Sequence, residues 1–386
     1  MIDKNSIPKH WLIKKLGEVC EIKSGKNQSK VKNPSGKYPI YGSSGIFGYA
    51  DEYICDEGTV IIGRKGTINN PIYVSTKLWN VDTAFGLCSK ASLSKKYLYY
   101  YCCGFNFHKL DKSTTIPSLA KSDLLSIDIP FPPLPEQQVI VNKIEELFSE
   151  LDKGKQHLQS TLQLLRVYRQ SLYKSIFIGK ELVSFEEFVE SSQNGLSKRN
   201  GNTGKEFKVL RLADINNNEI NDSEPRMIML DDNEINKYKI FEDDLICIRV
   251  NGSKDLVGKL IYVSNKNENE NWAYCDHFIK FKLKSSKAVA IFFHFYFSTL
   301  QVRKYIHDNM VTSAGQNTVS QVTIKKVLVP NFTKEEQAKI VKELEHKFSL
   351  CDMIEHTINQ SLQQAESLRQ SILKQAFEGK LVTTDL

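Results

Sequence analysis

The sequence predicts an α+β protein built as two globular units, each followed by one long helix. Three observations carry this prediction. A stretch of about fifty residues recurs at a fixed offset. Apolar residues in both copies fall three and four apart over some forty positions. The segments ahead of the copies hold short β-rich runs bounded by Gly, Asn and Pro.

The repeat is read without a gap. Pro130, Glu136, Gln137, Ile140, Val141, Glu145, Phe148, Ser149 and Asp152 recur as Pro330, Glu336, Gln337, Ile340, Val341, Glu345, Phe348, Ser349 and Asp352. Arg169, Gln170, Ser171, Lys174, Phe177, Gly179 and Lys180 recur as Arg369, Gln370, Ser371, Lys374, Phe377, Gly379 and Lys380. Duplication accounts for this, and chance does not.

Within the first copy the apolar positions include Ile140, Ile144, Leu147, Leu151, Leu158, Leu162, Leu165, Leu172 and Ile176. This is helical periodicity with heptad character, so two such helices in one chain should pack together. Pro130, Pro132, Pro133 and Pro135 place the first helix start near Glu136. Gly179 and Gly379 follow the last apolar positions and suit helix stops. Each helix of about 40 residues would span about 60 Å. Unrelated core helices are the competing reading, but neither the length nor the repetition suits it. The expected boundaries are a first unit over 1–135, a helix over 136–183, a second unit over 184–335 and a helix over 336–386.

In the first unit, residues 38–40, 59–62 and 72–74 read as strands and 95–105 as a helix. In the second, residues 209–212, 245–250, 260–263 and 279–283 read as strands and 292–305 as a helix. The apolar, aromatic run at 288–297 is too short to cross a bilayer and reads as part of a buried helix. The unit ends echo one another: GEVCEIKSGK at 17–26 resembles EEFVESSQNG at 186–195, whereas the middles do not match. A duplicated scaffold with divergent inserts suits recognition of two different things.

The formal net charge of +7 over 386 residues permits a polyanionic partner. The excess is uneven. Residues 1–130 hold 18 Lys+Arg against 11 Asp+Glu, while residues 184–330 hold 20 against 19. A polyanion would therefore meet the second unit through a local basic face. Cysteines are scattered with no CxxC and read as reduced thiols. The polar start from Met1 to His10 does not read as a signal peptide, and a cytoplasmic location is expected.

With PFPPLPEQQVIVNKIEELF and RQSLYKSIFIGK in the first copy, and VPNFTKEEQAKIVKELEHKF and RQSILKQAFEGKLV in the second, the chain resembles the specificity subunit of type I restriction-modification systems. LGEVCEIKSG, YPIYGSSGIFGY, GTVIIGRKGTI, LICIRVNGS and LVGKLIYVS support the resemblance, which covers essentially the whole chain. It implies two target recognition domains, each reading half of a bipartite double-stranded DNA site. It also implies an antiparallel coiled coil with pseudo-twofold symmetry that docks two modification subunits, with two restriction subunits beyond them. The second copy opens with PNFTKEEQ in place of a PPLPEQ run, while Pro330, Glu336 and Gln337 remain. On this reading the chain is not an enzyme and holds no cofactor or metal; S-adenosylmethionine, ATP and Mg would belong to the partners. Three alternatives are weighed against it: the same role beside a fused methyltransferase-nuclease, a coiled-coil scaffold that binds protein only, and a self-contained DNA methyltransferase, for which no S-adenosylmethionine binding by the isolated chain is expected.

DNA contacts need cations, small hydroxyls and free backbone amides for phosphate, and Arg, Lys, Asn or Gln for base edges. The candidates in the first unit are Ser24, Gly25, Lys26, Ser43, Ser44, Arg64, Lys65, Thr67, Thr114 and Thr115. In the second they are Arg249, Asn251, Ser253, Lys254, Gln316, Asn317 and Thr318, with Asn194, Gly195 and Lys205 behind them. Arg249 and Asn251 are expected to share one face of a strand end. A solvated turn is the other reading of Gly63–Gly66, and a structural role the other reading of His277. Tyr41 and Trp79 read as packing residues. No P-loop is present, and the histidines lack metal-ligand spacing. Asn70-Pro71-Ile72-Tyr73 reads as a turn entering a strand, and Asp231-Asp232 and Asp243-Asp244 read as turn residues.

Overall fold

The computed structural model describes residues 7–201, 203–216, 219–220, 225–263 and 271–382. Met1–Ser6 of the polar start and residues 383–386 of the expected last segment lie outside the described residues. The chain forms two compact units. One holds Met1–Ser160 with Ile358–Leu386, and the other holds Thr161–Thr357.

In the first unit an antiparallel sheet runs in the order Cys20–Ser24, Ala84–Ser89, Thr59–Gly63, Ile72–Val74. A second sheet joins Gly45–Ala50, Tyr38–Gly42 and Trp79–Asn80. The strand Leu12–Lys15 pairs with Asp128–Phe131. The helix Lys95–Gly104 covers the larger sheet, burying Tyr97, Leu98, Tyr101 and Cys102.

The second unit repeats these three sheets and adds small ones of its own. Its larger sheet runs Val189–Asn194, Phe278–Leu283, Leu245–Ile248, Leu260–Tyr262. Its smaller sheet runs Arg226–Leu230, Lys205–Leu210, Trp272–Tyr274, and Leu182–Ser184 pairs with Leu328–Pro330. The strand order of these three sheets is therefore the same in both units, although the middle sequences do not match.

Several sequence expectations shift by local chemistry. The strand expected at 209–212 ends at Leu210, because Arg211 caps a turn over Leu212–Asp214. The helix expected at 292–305 is two helices, Ala290–Tyr296 and Leu300–Asn309, since the Thr299 hydroxyl accepts the Val302 amide and starts the second. Ala290, Phe292, Phe293 and Tyr296 are buried as the apolar run predicts. The first long helix spans Leu134–Ile176, so Pro135 lies in its first turn, where no amide donor is required. The second spans Lys334–Phe377, opened by a reciprocal pair: the Thr333 hydroxyl accepts the Glu336 amide at 3.3 Å, and the Glu336 carboxylate accepts the Thr333 amide at 2.9 Å. Gly179 and Gly379 do stand past the helix ends with φ of +90° and +70°.

The helices are antiparallel within each unit. In the first, Asp152 meets Arg369 at 2.8 Å and Lys155 meets Glu366 at 3.1 Å. In the second, Arg169 meets Asp352 at 2.6 Å while Tyr173 stacks edge-on against Phe348. Arg369 also lies over the Phe148 ring and Arg169 over Phe348. Each repeated Arg thus meets the repeated Asp and Phe of the other copy.

The other repeated residues clasp helix to globular core. Buried Gln137 accepts the Ser94 amide at 2.8 Å and donates to the Ser92 and Pro132 carbonyls at 3.2 and 2.9 Å. Buried Gln337 accepts the Val289 amide at 2.9 Å and donates to the Lys287 and Phe332 carbonyls at 3.0 and 2.9 Å. Ser94 and Val289 are the N-caps of Lys95–Gly104 and Ala290–Tyr296. At the far end, Phe377 packs on Tyr97 and Tyr101, and Phe177 on Phe292 and Tyr296.

Candidate nucleic-acid interface

In the first unit, Gly63–Thr67 leaves the end of a central strand. The Arg64 amide donates to the Thr83 carbonyl at 2.7 Å and the Lys65 amide to the same carbonyl at 3.3 Å. Arg64 Nη1 donates to the Asp82 carbonyl at 3.3 Å, and the Arg64 carbonyl accepts the Leu119 amide at 2.9 Å. In the second unit the Arg249 amide donates to the His277 carbonyl at 2.8 Å, and the Val250 amide to that carbonyl at 3.3 Å. Arg249 Nη1 donates to the Asp276 carbonyl at 3.2 Å, and the Arg249 carbonyl accepts the Val319 amide at 3.0 Å. Arg64 and Arg249 therefore occupy one position of a shared frame. Both are fixed by backbone, with the guanidinium left partly open to solvent.

Around Arg64 the candidate loops converge. The Ser44 and Thr67 hydroxyls lie 3.4 Å apart, and a side chain on Gly66 would stand 3.7 Å from Ser43 Oγ. Lys65 bridges to Ser118, and the Gly66 amide donates to the Pro117 carbonyl. Ser24, Arg64, Lys112, Ser118 and Lys121 line one cleft of 410 Å³. Gly25 has no room for a side chain, which would fall 1.8 Å from the Val81 carbonyl oxygen. Lys26 is clipped by backbone, accepting the Trp79 indole N–H at 3.0 Å, and is exposed but no part of that cleft. Thr114 and Thr115 sit in an exposed bend that Asp111 organises: its carboxylate accepts the Ser113 hydroxyl at 2.6 Å and the Ser113 and Ser118 amides at 3.0 Å. Those bonds, the Ser113 hydroxyl foremost, hold the Asp111 carboxyl below the usual carboxylate range.

In the second unit, Val250–Asn251, Gln316–Thr318 and Val311–Ser313 form a small sheet, so the two predicted loops are one structure. Two expectations change. The strand breaks at Arg249, where two successive amides share the His277 carbonyl, so Arg249 and Asn251 do not alternate on one regular strand. Asn317 is buried and its amide is spent: it donates to Asn251 and Gly252 carbonyls at 3.3 and 2.9 Å and accepts from the Thr312 hydroxyl at 2.8 Å. It holds the loop and does not face solvent. Asn251 accepts the Ser253 amide at 2.8 Å; Ser253, Lys254 and Gln316 are exposed and Thr318 half-buried.

Of the weaker candidates, Asn194 accepts from Gln321 and Lys205 lies 3.8 Å from Asp232. Trp79 is buried and Tyr41 half-buried, as packing residues should be. Asn70–Tyr73 leads into the strand Ile72–Val74, and Asp231 caps the helix Asp232–Tyr238.

Sequence reasoning missed Asp111 and also Arg303, whose Nη2 binds the Lys254, Asp255 and Val257 carbonyls. It also missed Arg199, Arg211 and Arg226, which share a 330 Å³ cleft with Cys275, Asp276 and His277. These arginines are far apart in sequence, and only folding makes them neighbours. Cys275, Asp276 and His277 bring possible metal-ligand atoms within 4.8 Å, yet arginines surround them and burial pushes the Cys275 thiol up. The cleft favours an anion over a cation. No helix among the described residues is long and apolar enough to cross a membrane.

Comparison with known proteins decides the family. The family model for the type I restriction modification DNA specificity domain matches residues 8–159 and 179–364. The chain belongs to this family. It is 35% identical over 288 residues to a type I restriction enzyme specificity subunit of Salmonella potsdam, covering 70% of this chain and 61% of that one. It is 28% identical to the EcoKI specificity subunit of Escherichia coli K12, covering 76% and 64%. The chain thus spans under two thirds of the length of these relatives. A chain from a structure of type I R-M complex assembly and conformational transition aligns with a TM-score of 0.75 at 16% identity, over 97% of this chain and 99% of that one. The HsdS subunit from Thermoanaerobacter tengcongensis aligns at 0.59 and 17% identity, over 97% and 98%. At such identities the likeness is one of fold.

Proposed function

We propose that this chain is the non-catalytic DNA-specificity subunit of a type I restriction-modification complex. Residues 1–135 and 184–335 are the target recognition domains, each reading one half of a bipartite site. Residues 136–183 and 336–386 form the spacer. The observation that carries this reading is the common frame of Arg64 and Arg249. Two sequences without recognisable similarity present an arginine on the same backbone bonds, each amid exposed hydroxyl, amide and basic side chains. One backbone frame with different side chains is what two half-sites of different sequence require. In the first unit Arg64, Lys65, Ser44, Thr67, Thr114 and Thr115 contact the duplex, supported by Ser24, Gly25, Lys26 and Ser43. In the second, Arg249, Asn251, Ser253, Lys254, Gln316 and Thr318 do so, with Asn317 positioning them.

The helices dock modification subunits, which carry S-adenosylmethionine; restriction subunits carry ATP and Mg. Support comes from exposed apolar residues at helical spacing: Leu164, Val167 and Tyr168 on the first helix, and Leu350, Met353 and Ile354 on the second.

The test is to express the chain with the methyltransferase encoded beside it and map methylated adenines by single-molecule sequencing. A bipartite motif with a fixed gap, lost on deletion of this gene, is expected. Exchanging residues 184–329 for those of a relative should change one half of the motif only. Methylation indifferent to the deletion would sink the proposal.

A further inference from the structure

The second unit is close to neutral over residues 184–330. A DNA-binding role for it needs a concentrated basic surface. The cleft lined by Arg199, Arg211 and Arg226 gathers three guanidinium groups from separate stretches of chain: Arg199 lies beyond one strand, Arg211 follows the next and Arg226 opens the third.

Three features define its chemistry. Arg226 Nε is shielded from water and meets no acceptor among the described residues. Arg199 is exposed and makes no ion pair among the described residues. Arg211 is held rigidly, its guanidinium bonded twice to buried Asp214 at 3.0 and 2.6 Å. Ser197, Cys275, Asp276 and His277 complete the polar lining, the Asp276 carboxylate lying 3.6 Å from His277 Nδ1, and Leu196, Leu212 and Ala213 supply an apolar floor. No Phe, Tyr or Trp lines the cleft to stack a base. Guanidinium groups converging without aromatic faces suit a phosphate better than a nucleobase. The cleft is also continuous with the candidate loop, since Asp276 lines it and gives its carbonyl to Arg249.

We propose that this arginine cleft binds a backbone phosphate of the DNA duplex and so sets the register of the second recognition domain without reading sequence. This rests on the DNA-recognition reading above. A phosphate seated there fixes where the Arg249 loop meets the base edges.

The experiment compares the full chain with R199Q, R226Q and the double variant. Binding is measured by fluorescence anisotropy between 50 and 200 mM salt, on duplexes with and without the methylated motif. Circular dichroism checks folding, and R199Q, at an exposed position, keeps the test valid if R226Q unfolds. The expected result is weaker binding by about tenfold for the double variant, equal on both duplexes, with the log–log salt slope shallower by about one. An unchanged slope and affinity overturns the proposal while leaving DNA recognition intact. Lost discrimination between the duplexes at an unchanged slope overturns it in favour of a base contact. A wild-type chain that binds neither duplex, alone or with its methyltransferase, sinks the function itself and the cleft with it.

Discussion

Gln137 and Gln337 make the same three hydrogen bonds with the same atoms, and both stand in a stretch where the sequence repeats. Arg64 and Arg249 also sit in a shared frame, yet nothing in the surrounding sequence announces it. The difference lies in which atoms build each contact. The clasp is made by side chains, so its residues must recur. The arginine frame is made by amides and carbonyls, which any residue supplies, so the side chains projecting from it are free to differ. The repeated part of this chain is thus the part that holds it together, and the unrepeated part is the part that can specialise.

The largest loss is expected at the aromatic end of the clasp. Phe377 is buried against Tyr97 and Tyr101, so F377A should destabilise by about 3–5 kcal/mol. Phe177 fills the equivalent place but is only half-buried, so F177A should cost visibly less. Denaturant unfolding of the two variants checks the order. Equal losses would mean that the two clasps are packed alike despite their different exposure.

At the glutamines the two copies should be indistinguishable. Q137L and Q337L each strand a buried amide and two carbonyls, an effect of about 1–3 kcal/mol. The same unfolding experiment should return the same loss for both. A difference above about 1 kcal/mol would show that one clasp is the weaker hinge.

The recognition frame should behave in the opposite way. R64Q and R249Q should leave stability nearly unchanged, and each should relax one half of the methylated motif, at about 1–3 kcal/mol of discrimination if the arginine meets a base edge. Methylome sequencing of each variant separates the two halves. Relaxation of both halves by either variant would contradict the assignment of one half to each unit.

How much was legible follows the same division. The long helices lie wholly in repeated residues, and heptad spacing located them; their antiparallel pairing through Arg369–Asp152 and Arg169–Asp352 was implied only by the family resemblance. The strands Thr59–Gly63 and Ile72–Val74 were visible from β-branched runs between Gly, Asn and Pro. The kink at Arg249 was not, because two amides sharing one carbonyl leave no trace in residue type. Asn317 looked like a base reader by composition and is a loop strut by burial. Arg199, Arg211 and Arg226 read as three unrelated surface charges until strand order gathers them.

The finest test sets the two loop struts against each other. The first unit's loop is organised by the carboxylate of Asp111 and the second's by the amide of Asn317, so of the two struts only Asp111 carries an acid–base group. The Asp111 carboxyl is held below its ordinary range by the Ser113 hydroxyl and by the Ser118 and Ser113 amides. A depressed carboxyl contributes fully above its unfolded value and loses that contribution only as pH falls through the folded one. DNA binding should therefore be insensitive to the loop between pH 5 and 8, and D111A at pH 7 should weaken the first half-site by about fivefold, the effect of re-ordering a short loop. The second half-site should not change. A one-proton fall in wild-type affinity between pH 8 and 5 that D111A abolished would show Asp111 titrating far above the range these bonds dictate, and the loop would then need another strut.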